Sequence, residues 1–280
     1  ACPAYRVTAI PQNMSFECGA MIEPLAVAVH AINRFHEGIE GKKVAMPESR
    51  PAPTRATNLP FNDPELEWQW HYYNDGSLDP ELCKDGADIN LLNAWKYTAG
   101  DNRVIVAVCD GGVMADHKDL ADNMWVNEAE KNGTQGVDDD GNGYVDDVHG
   151  YNFVADSGNV TPDAHGTHVA GTIAAVNNNG YAVCGIAGGT GNGDGVKIMS
   201  IQIFEGENGC YSHQIVKGIK YAADNGALIS QNSWGYVSAE AAGYPSYYLG
   251  PGNDREYKQQ LSSEAGAMDY FVKNAGGEKS

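Results

Sequence analysis

Apolar positions along the chain follow two patterns, and each predicts a different element. In "EPLAVAVHAINRFHEGIEGKK" (23–43), Leu25, Val29, Ile32, Phe35 and Ile39 recur at steps of three and four. That is one apolar stripe on a helix that packs against a partner surface. "RVIVAVCDGG" (103–112) is instead a continuous apolar run halted by an acid and two glycines. Such runs suit strands buried on both faces, as in a parallel sheet with helices outside. "VKIMSIQIF" (196–204) predicts a second such strand and "ALISQNSWG" (227–235) a third. Between them "HGTHVAGTIAAVNNNG" (165–180) has helical spacing and closes on Asn and Gly, which are stop signals. "SHQIVKGIKYAADNG" (212–226) predicts another helix and "DREYKQQLSSEAGAMDYFVKNAG" (254–276) one long final helix. Strand and helix alternate without an internal repeat. The expected fold class is therefore α/β, three-layer, with a mainly parallel sheet and helices on both faces.

Ligands of such sheets bind beyond the carboxyl ends of the strands. Asp110 ends a predicted strand and His165 opens a predicted helix, so both side chains are expected at the same edge. A serine hydroxyl is a poor nucleophile near neutral pH and needs a base within hydrogen-bond reach. The base in turn needs an acid to fix its tautomer and to stabilise the imidazolium. Asp110 and His165 have the chemistry of acid and base. Each has a plainer reading alone: Asp-Gly-Gly is a common turn, and a single buried histidine is commonly structural. His165 and His168, three apart, could also hold a metal ion, but no third ligand is evident.

Together the segments are more specific. "VIVAVCDGGVMADHKDL" resembles the aspartate motif of subtilisin-like serine proteases, and "HGTHVAGTIAA" resembles their histidine motif, in the same order. "ISQNSWG" is similar to one wall of their substrate cleft, and "GENGC" falls where their edge strand pairs with substrate backbone. The resemblance spans about residues 60–276. It implies a serine endopeptidase acting on proteins or peptides, with Asp110 and His165 catalytic. It also implies Gly209, Ser233, Trp234 and Gly235 at the substrate, and a location outside the cell, in a periplasm or on the cell surface. Gly111 departs from the pattern, because the family usually has Ser or Thr there.

The nucleophile is not in these residues. The family's Gly-Thr-Ser motif lies C-terminal to everything quoted, and the four Gly-Thr pairs here continue to Gln135, His168, Ile173 and Gly191. Ser233 belongs to the cleft-wall motif and is not a substitute. The chain stops at Ser280, before the strand that carries the family's oxyanion asparagine. The expectation is a catalytic domain truncated before its serine motif, inactive alone and completed by a C-terminal segment. The rival expectation is a non-catalytic, calcium-stabilised module that binds peptides without cutting them.

Charge and composition divide the chain and exclude some functions. The net charge is −19, yet residues 1–58 hold six Lys/Arg against five Glu, so the remainder carries −20. With the proline-rich stretch "AMPESRPAPTRATNLP" (45–60), this predicts an N-terminal extension over 1–58 and a catalytic domain over 59–280. By the resemblance, the extension reads as a propeptide remnant plus linker; a simple extension is the alternative. An acidic surface repels phosphate, which argues against nucleic acid. No run approaches the roughly 20 apolar residues of a membrane span. The chain opens on Ala1 with no signal segment after it, and so reads as processed or excised. Six cysteines are scattered without a CxxC pair, which disfavours a zinc knuckle and leaves disulfides and free thiols both open.

"GVDDDGNGYVDDVHG" (136–150) carries the second constellation. Asp138, Asp140 and Asn142 alternate and Gly143 follows, as in the opening of a calcium loop. Alternate side chains converge on one centre while glycine permits the turn. The Tyr144 carbonyl is the expected next ligand, with Asp146 or Asp147 closing the shell. His149 stands where an EF-hand has Glu, so the loop is not an EF-hand. Five carboxylates within 138–147 repel one another without a cation. Calcium is therefore the expected cofactor, in a structural role.

Overall fold

The computed structural model describes residues 59–77, 83–206, 209–235 and 254–276. The apolar stripe at 25–39 and nearly all of the proline-rich stretch lie outside the described residues. A short helix α1 (Leu91–Ala94) precedes strand β1 (Ile105–Asp110), helix α2 (Glu128–Asn132) and strand β2 (Gly150–Asn152). Helix α3 (Ala164–Ala174), strand β3 (Lys197–Gln202), helix α4 (Ser212–Asp224) and strand β4 (Ile229–Gln231) follow. Helices α5 (Asp254–Gln260) and α6 (Ser262–Asn274) complete the described part.

The sheet is parallel throughout, in the order β2-β3-β1-β4. The apolar runs work as expected because alternate residues of a strand face opposite sides. From β1 and β3, Ala107, Cys109, Met199 and Ile201 meet Ile215, Ile219, Ala222 and Ala223 of α4, backed by Ala267 and Phe271 of α6. Val106, Val108 and Ile198 point the other way, onto Val169, Ala170 and Ala174 of α3. Helices thus cover both faces, giving the three-layer α/β arrangement. A smaller cluster of Leu66, Tyr72, Leu91 and Cys184 fastens the segment from residue 59 onto the loop after α3. In the same contact Gln69 and Cys184 exchange hydrogen bonds, Gln69 Nε2 to the Cys184 carbonyl (2.9 Å) and Cys184 N–H to Gln69 Oε1 (2.8 Å). The described cysteines are free thiols, with Cys109 and Cys184 buried.

Several elements differ from the pattern reading. The third strand expected over 227–235 keeps only Ile229–Gln231, and it lies at the sheet edge with Ile229 exposed instead of buried on both faces. Helix α3 ends at Ala174, short of the Asn-Gly stop. The Val176 N–H is taken by the Asp119 carbonyl (2.8 Å) and the Asn178 N–H by the Asp63 carboxylate (2.6 Å), so tertiary acceptors replace helical ones. Strand β2 has only three residues, too few to show a period. The final helix is two helices, broken at Leu261 (φ −123°, ψ 46°) just before Ser262 and Ser263. Serine is a weak helix-interior residue.

Candidate active site and acidic cluster

In a parallel sheet all strands deliver their carboxyl ends to one edge, and here that edge gathers the chemistry. Asp110 is the last residue of β1, and its carbonyl accepts the Ile203 N–H (2.9 Å) from the chain leaving β3. His165 stands in the first turn of α3. The His165 Nδ1–H donates to Asp110 Oδ1 at 2.8 Å, with the Asp110 side chain 5% exposed and that of His165 43%. An acid buried under its base and a base open to solvent is the required asymmetry. Nδ1 is committed to the carboxylate, so Nε2 is the nitrogen left to exchange a proton.

Glycines make this approach close enough. A Cβ on Gly166 would lie 2.5 Å from the Gly112 carbonyl oxygen and 3.2 Å from Asp110 Oδ1. Gly112 itself has φ +114°, and a Cβ there would sit 2.2 Å from the Thr161 carbonyl oxygen. The helix starts where it does because Asp163 caps it. Its carboxylate accepts the N–H groups of His165 (2.6 Å) and Gly166 (3.3 Å). Asp110 Oδ1 also accepts the Gly111 N–H at 2.7 Å, while Oδ2 has no hydrogen-bond partner among the described residues.

His168 lies one turn further along α3. No third His, Cys, Asp or Glu joins His165 and His168 in a potential metal group among the described residues. Ser233, Trp234 and Gly235 follow β4 one residue on, after Asn232, beyond the carboxyl end of a strand that runs parallel to β1. The Ser233 hydroxyl accepts from Gln231 Nε2, and the half-buried Trp234 ring meets Phe204 edge-on with centroids 6.1 Å apart. Gly209, in the left-handed region at φ +67°, precedes α4; residues 207–208 beside it lie outside the described residues.

The acidic loop folds into two kinds of carboxylate. Asp138 turns back onto its own loop, accepting the N–H groups of Gly141, Asn142 and Gly143, and these bonds hold its carboxyl below the usual range. Asp146 accepts the Gly136 N–H through both oxygens at 3.0 Å. Asn142 accepts the Tyr144 N–H and donates to Asp140 and Asp147, and the Tyr144 ring packs against Tyr151 and Tyr221. Asp140 and Asp147 converge, and a third acid meets them: Glu130 of α2. Carboxylate oxygens of the three lie within 4.8 Å of one another. Burial pushes the Asp147 carboxyl up, opposed by donors from Tyr221, Asn142 and Asn127. Glu130 also accepts the N–H groups of Asp139, Asp140 and Asp146, tying α2 to the loop.

Two contributors were missing from the sequence reading. Asp163 had a signal, being an N-cap residue type just before a helix. Glu130 had none, because nothing in its own segment pairs it with a loop several residues further on.

Comparison with known proteins gives the family. Residues 101–279 match the subtilase family. Subtilisin-like protease 1 of Plasmodium vivax is 42% identical over 132 residues, which cover 46% of this chain and 19% of that protein. The cell wall-associated protease of Bacillus subtilis (strain 168) is 37% identical over 179 residues, 62% of this chain and 16% of the relative. Among solved structures, the Aeromonas sobria serine protease in its chaperone complex is 26% identical with a TM-score of 0.46, covering 79% of this chain and 33% of that one. The matched stretches span less than a fifth of the first curated relatives.

Proposed function

Because this chain belongs to the subtilase family, we propose that it carries the acid and base of a serine endopeptidase whose nucleophile lies on a segment outside residues 1–280. The observation that carries this reading is the 2.8 Å bond between a buried Asp110 and an accessible His165. His165 takes the serine proton at Nε2 and later gives it to the leaving amine. Asp110 holds the tautomer and stabilises the imidazolium that forms in between. Ser233, Trp234 and Gly235 line the cleft, with the Trp234–Phe204 contact narrowing one side-chain pocket. Backbone near Gly209 pairs with the substrate as an added strand.

Residues 59–280 are the catalytic part in this reading, and 1–58 an N-terminal extension. Among the described residues β4 is the edge strand of the sheet, which supports a continuation of it. Ile229 is 50% exposed and the preceding Leu228 46%, an apolar edge that a further strand would cover. The relative named for the cell wall supports action outside the cell membrane.

Glu130, Asp140 and Asp147 would hold a structural calcium ion, with Asn142 beside them. The donor set fits: three carboxylates crowd one point, one of them fully buried, and oxygen is the ligand that calcium prefers. Asp138, Asp146 and the Tyr144 carbonyl are the other candidate ligands of this loop. The ion would neutralise the cluster and clamp the loop to α2 and α4.

The test is hydrolysis of an unstructured protein such as casein by the 280-residue chain, alone and with its downstream segment supplied. The expected result is no activity alone and activity in the mixture that His165→Ala abolishes. His165-dependent activity of the lone chain would reveal a nucleophile within it and overturn the assignment. A folded, inactive mixture containing Gly-Thr-Ser would favour a peptide-binding module.

A further inference from the structure

Asp163 and Gly111 fit each other in a way that capping alone does not require. A Cβ on Gly111 would fall 2.8 Å from Asp163 Cγ and 2.9 Å from its Cβ, so the Asp163 side chain fills the space that a side chain at 111 would need. The Gly111 N–H, in turn, orients Asp110 Oδ1, the oxygen that receives His165. On its other side Asp163 grips the helix. Its carboxylate holds the N–H groups of His165 and Gly166, and its carbonyl accepts the Thr167 N–H at 3.0 Å. Its own N–H donates to the Gly112 carbonyl at 3.2 Å.

We propose that Asp163 is a positioning residue for His165, a spacer that sets the distance between the first turn of α3 and the end of β1. Its consequence for turnover rests on the peptidase reading; its effect on the Asp110–His165 bond does not. One side chain touches the supports of both partners. Removing it frees the first helical turn and the Gly111 turn to shift independently, and a misplacement of about 1 Å can cost about 10²-fold in rate. Asparagine keeps both the shape and the accepting oxygen. Serine at 111 must push Asp163 aside.

The test uses the 280-residue chain labelled with nitrogen-15 at histidine. A ring N–H held against a carboxylate gives a low-field proton resonance, here assigned by its loss in His165→Ala. The resonance is expected to persist in Asp163→Asn and to broaden away in Asp163→Ala as the proton exchanges faster. It should weaken in Gly111→Ser, because the new Cβ falls 2.8 Å from Asp163 Cγ and 2.9 Å from its Cβ. In the full-length protein, Asp163→Ala should lower kcat by about 10²-fold with KM little changed. An unaltered resonance in Asp163→Ala overturns the proposal, as does its absence from the unsubstituted chain. Should Asp163→Ala not fold, Gly111→Ser carries the test, since it keeps the cap, and an unperturbed resonance there is equally fatal. A full-length protein without peptidase activity would sink the enzymatic reading and leave these spectroscopic results standing.

Discussion

Replacing Gly166 with alanine sets two effects against each other, and their sizes predict a variant that folds but has lost its site. Gly166 lies in the first turn of α3, where alanine would ordinarily gain up to about 1 kcal/mol of helix stability. Its Cβ, however, would stand 2.5 Å from the Gly112 carbonyl oxygen and 3.1 Å from the Gly112 carbonyl carbon. Ordinary contact begins near 3.5 Å, so the turn must retreat by about 1 Å. Gly112 has little room to give way, because the Thr161 carbonyl occupies the place a Cβ on it would take and its own carbonyl holds the Asp163 N–H. Overpacking of this kind costs about 1–3 kcal/mol, leaving a net loss of roughly 0–2 kcal/mol, which most domains survive. The same retreat carries His165 away from Asp110. A 2.8 Å bond lengthened by most of an ångström is no longer a hydrogen bond. The expected outcome is nearly wild-type urea unfolding, loss of the low-field His165 resonance, and a fall of at least about 10²-fold in kcat of the full-length protein, about 2.7 kcal/mol. A variant about 1 kcal/mol more stable, with resonance and turnover intact, would show that the first turn has room and would refute the reasoning.

Calcium should bind the folded chain. Chelation is expected to lower the melting temperature, and calcium restored at a hundred times its dissociation constant should return about 2.7 kcal/mol. Glu130→Gln should weaken that binding; calorimetric titration showing no calcium uptake by the folded protein would sink the assignment. Asp194 accepts both the Thr190 N–H (2.7 Å) and its hydroxyl (2.9 Å), bonds that hold its carboxyl below the ordinary 3.8. A folded-state value below the unfolded one stabilises above the unfolded value, and the benefit is lost as pH falls through the folded value. Asp194→Asn should therefore cost about 0.5–1 kcal/mol at pH 7, after discounting for partial exposure, with the gap closing below pH 3.8. A gap that stays constant down to pH 2 in denaturant titrations would contradict this.

The sequence alone determined the layers and the two catalytic candidates. Residues 104–109 are apolar at every position and 198–204 at all but Ser200 and Gln202, a pattern that suits strands covered on both faces and so implies helices on each side. Asp110 and His165 were legible because one closes an apolar strand and the other opens a helix, at the edge where a parallel sheet concentrates chemistry, and because the segments around them resemble two family motifs. Tertiary structure decided the distances. That α3 stops at Ala174 depends on the Asp119 carbonyl and the Asp63 carboxylate, acceptors far away in sequence. That Asp140 and Asp147 meet Glu130, while Asp138 and Asp146 turn to backbone amides, depends on where α2 comes to rest against the loop. Alternation within 138–142 displays which side chains could converge, but a carboxylate goes to whichever donors or charges the fold brings within about 3 Å. Asp163 shows the same division. Its type announces a helix cap, and only the packed structure wedges it over Gly111 and makes it a spacer between acid and base.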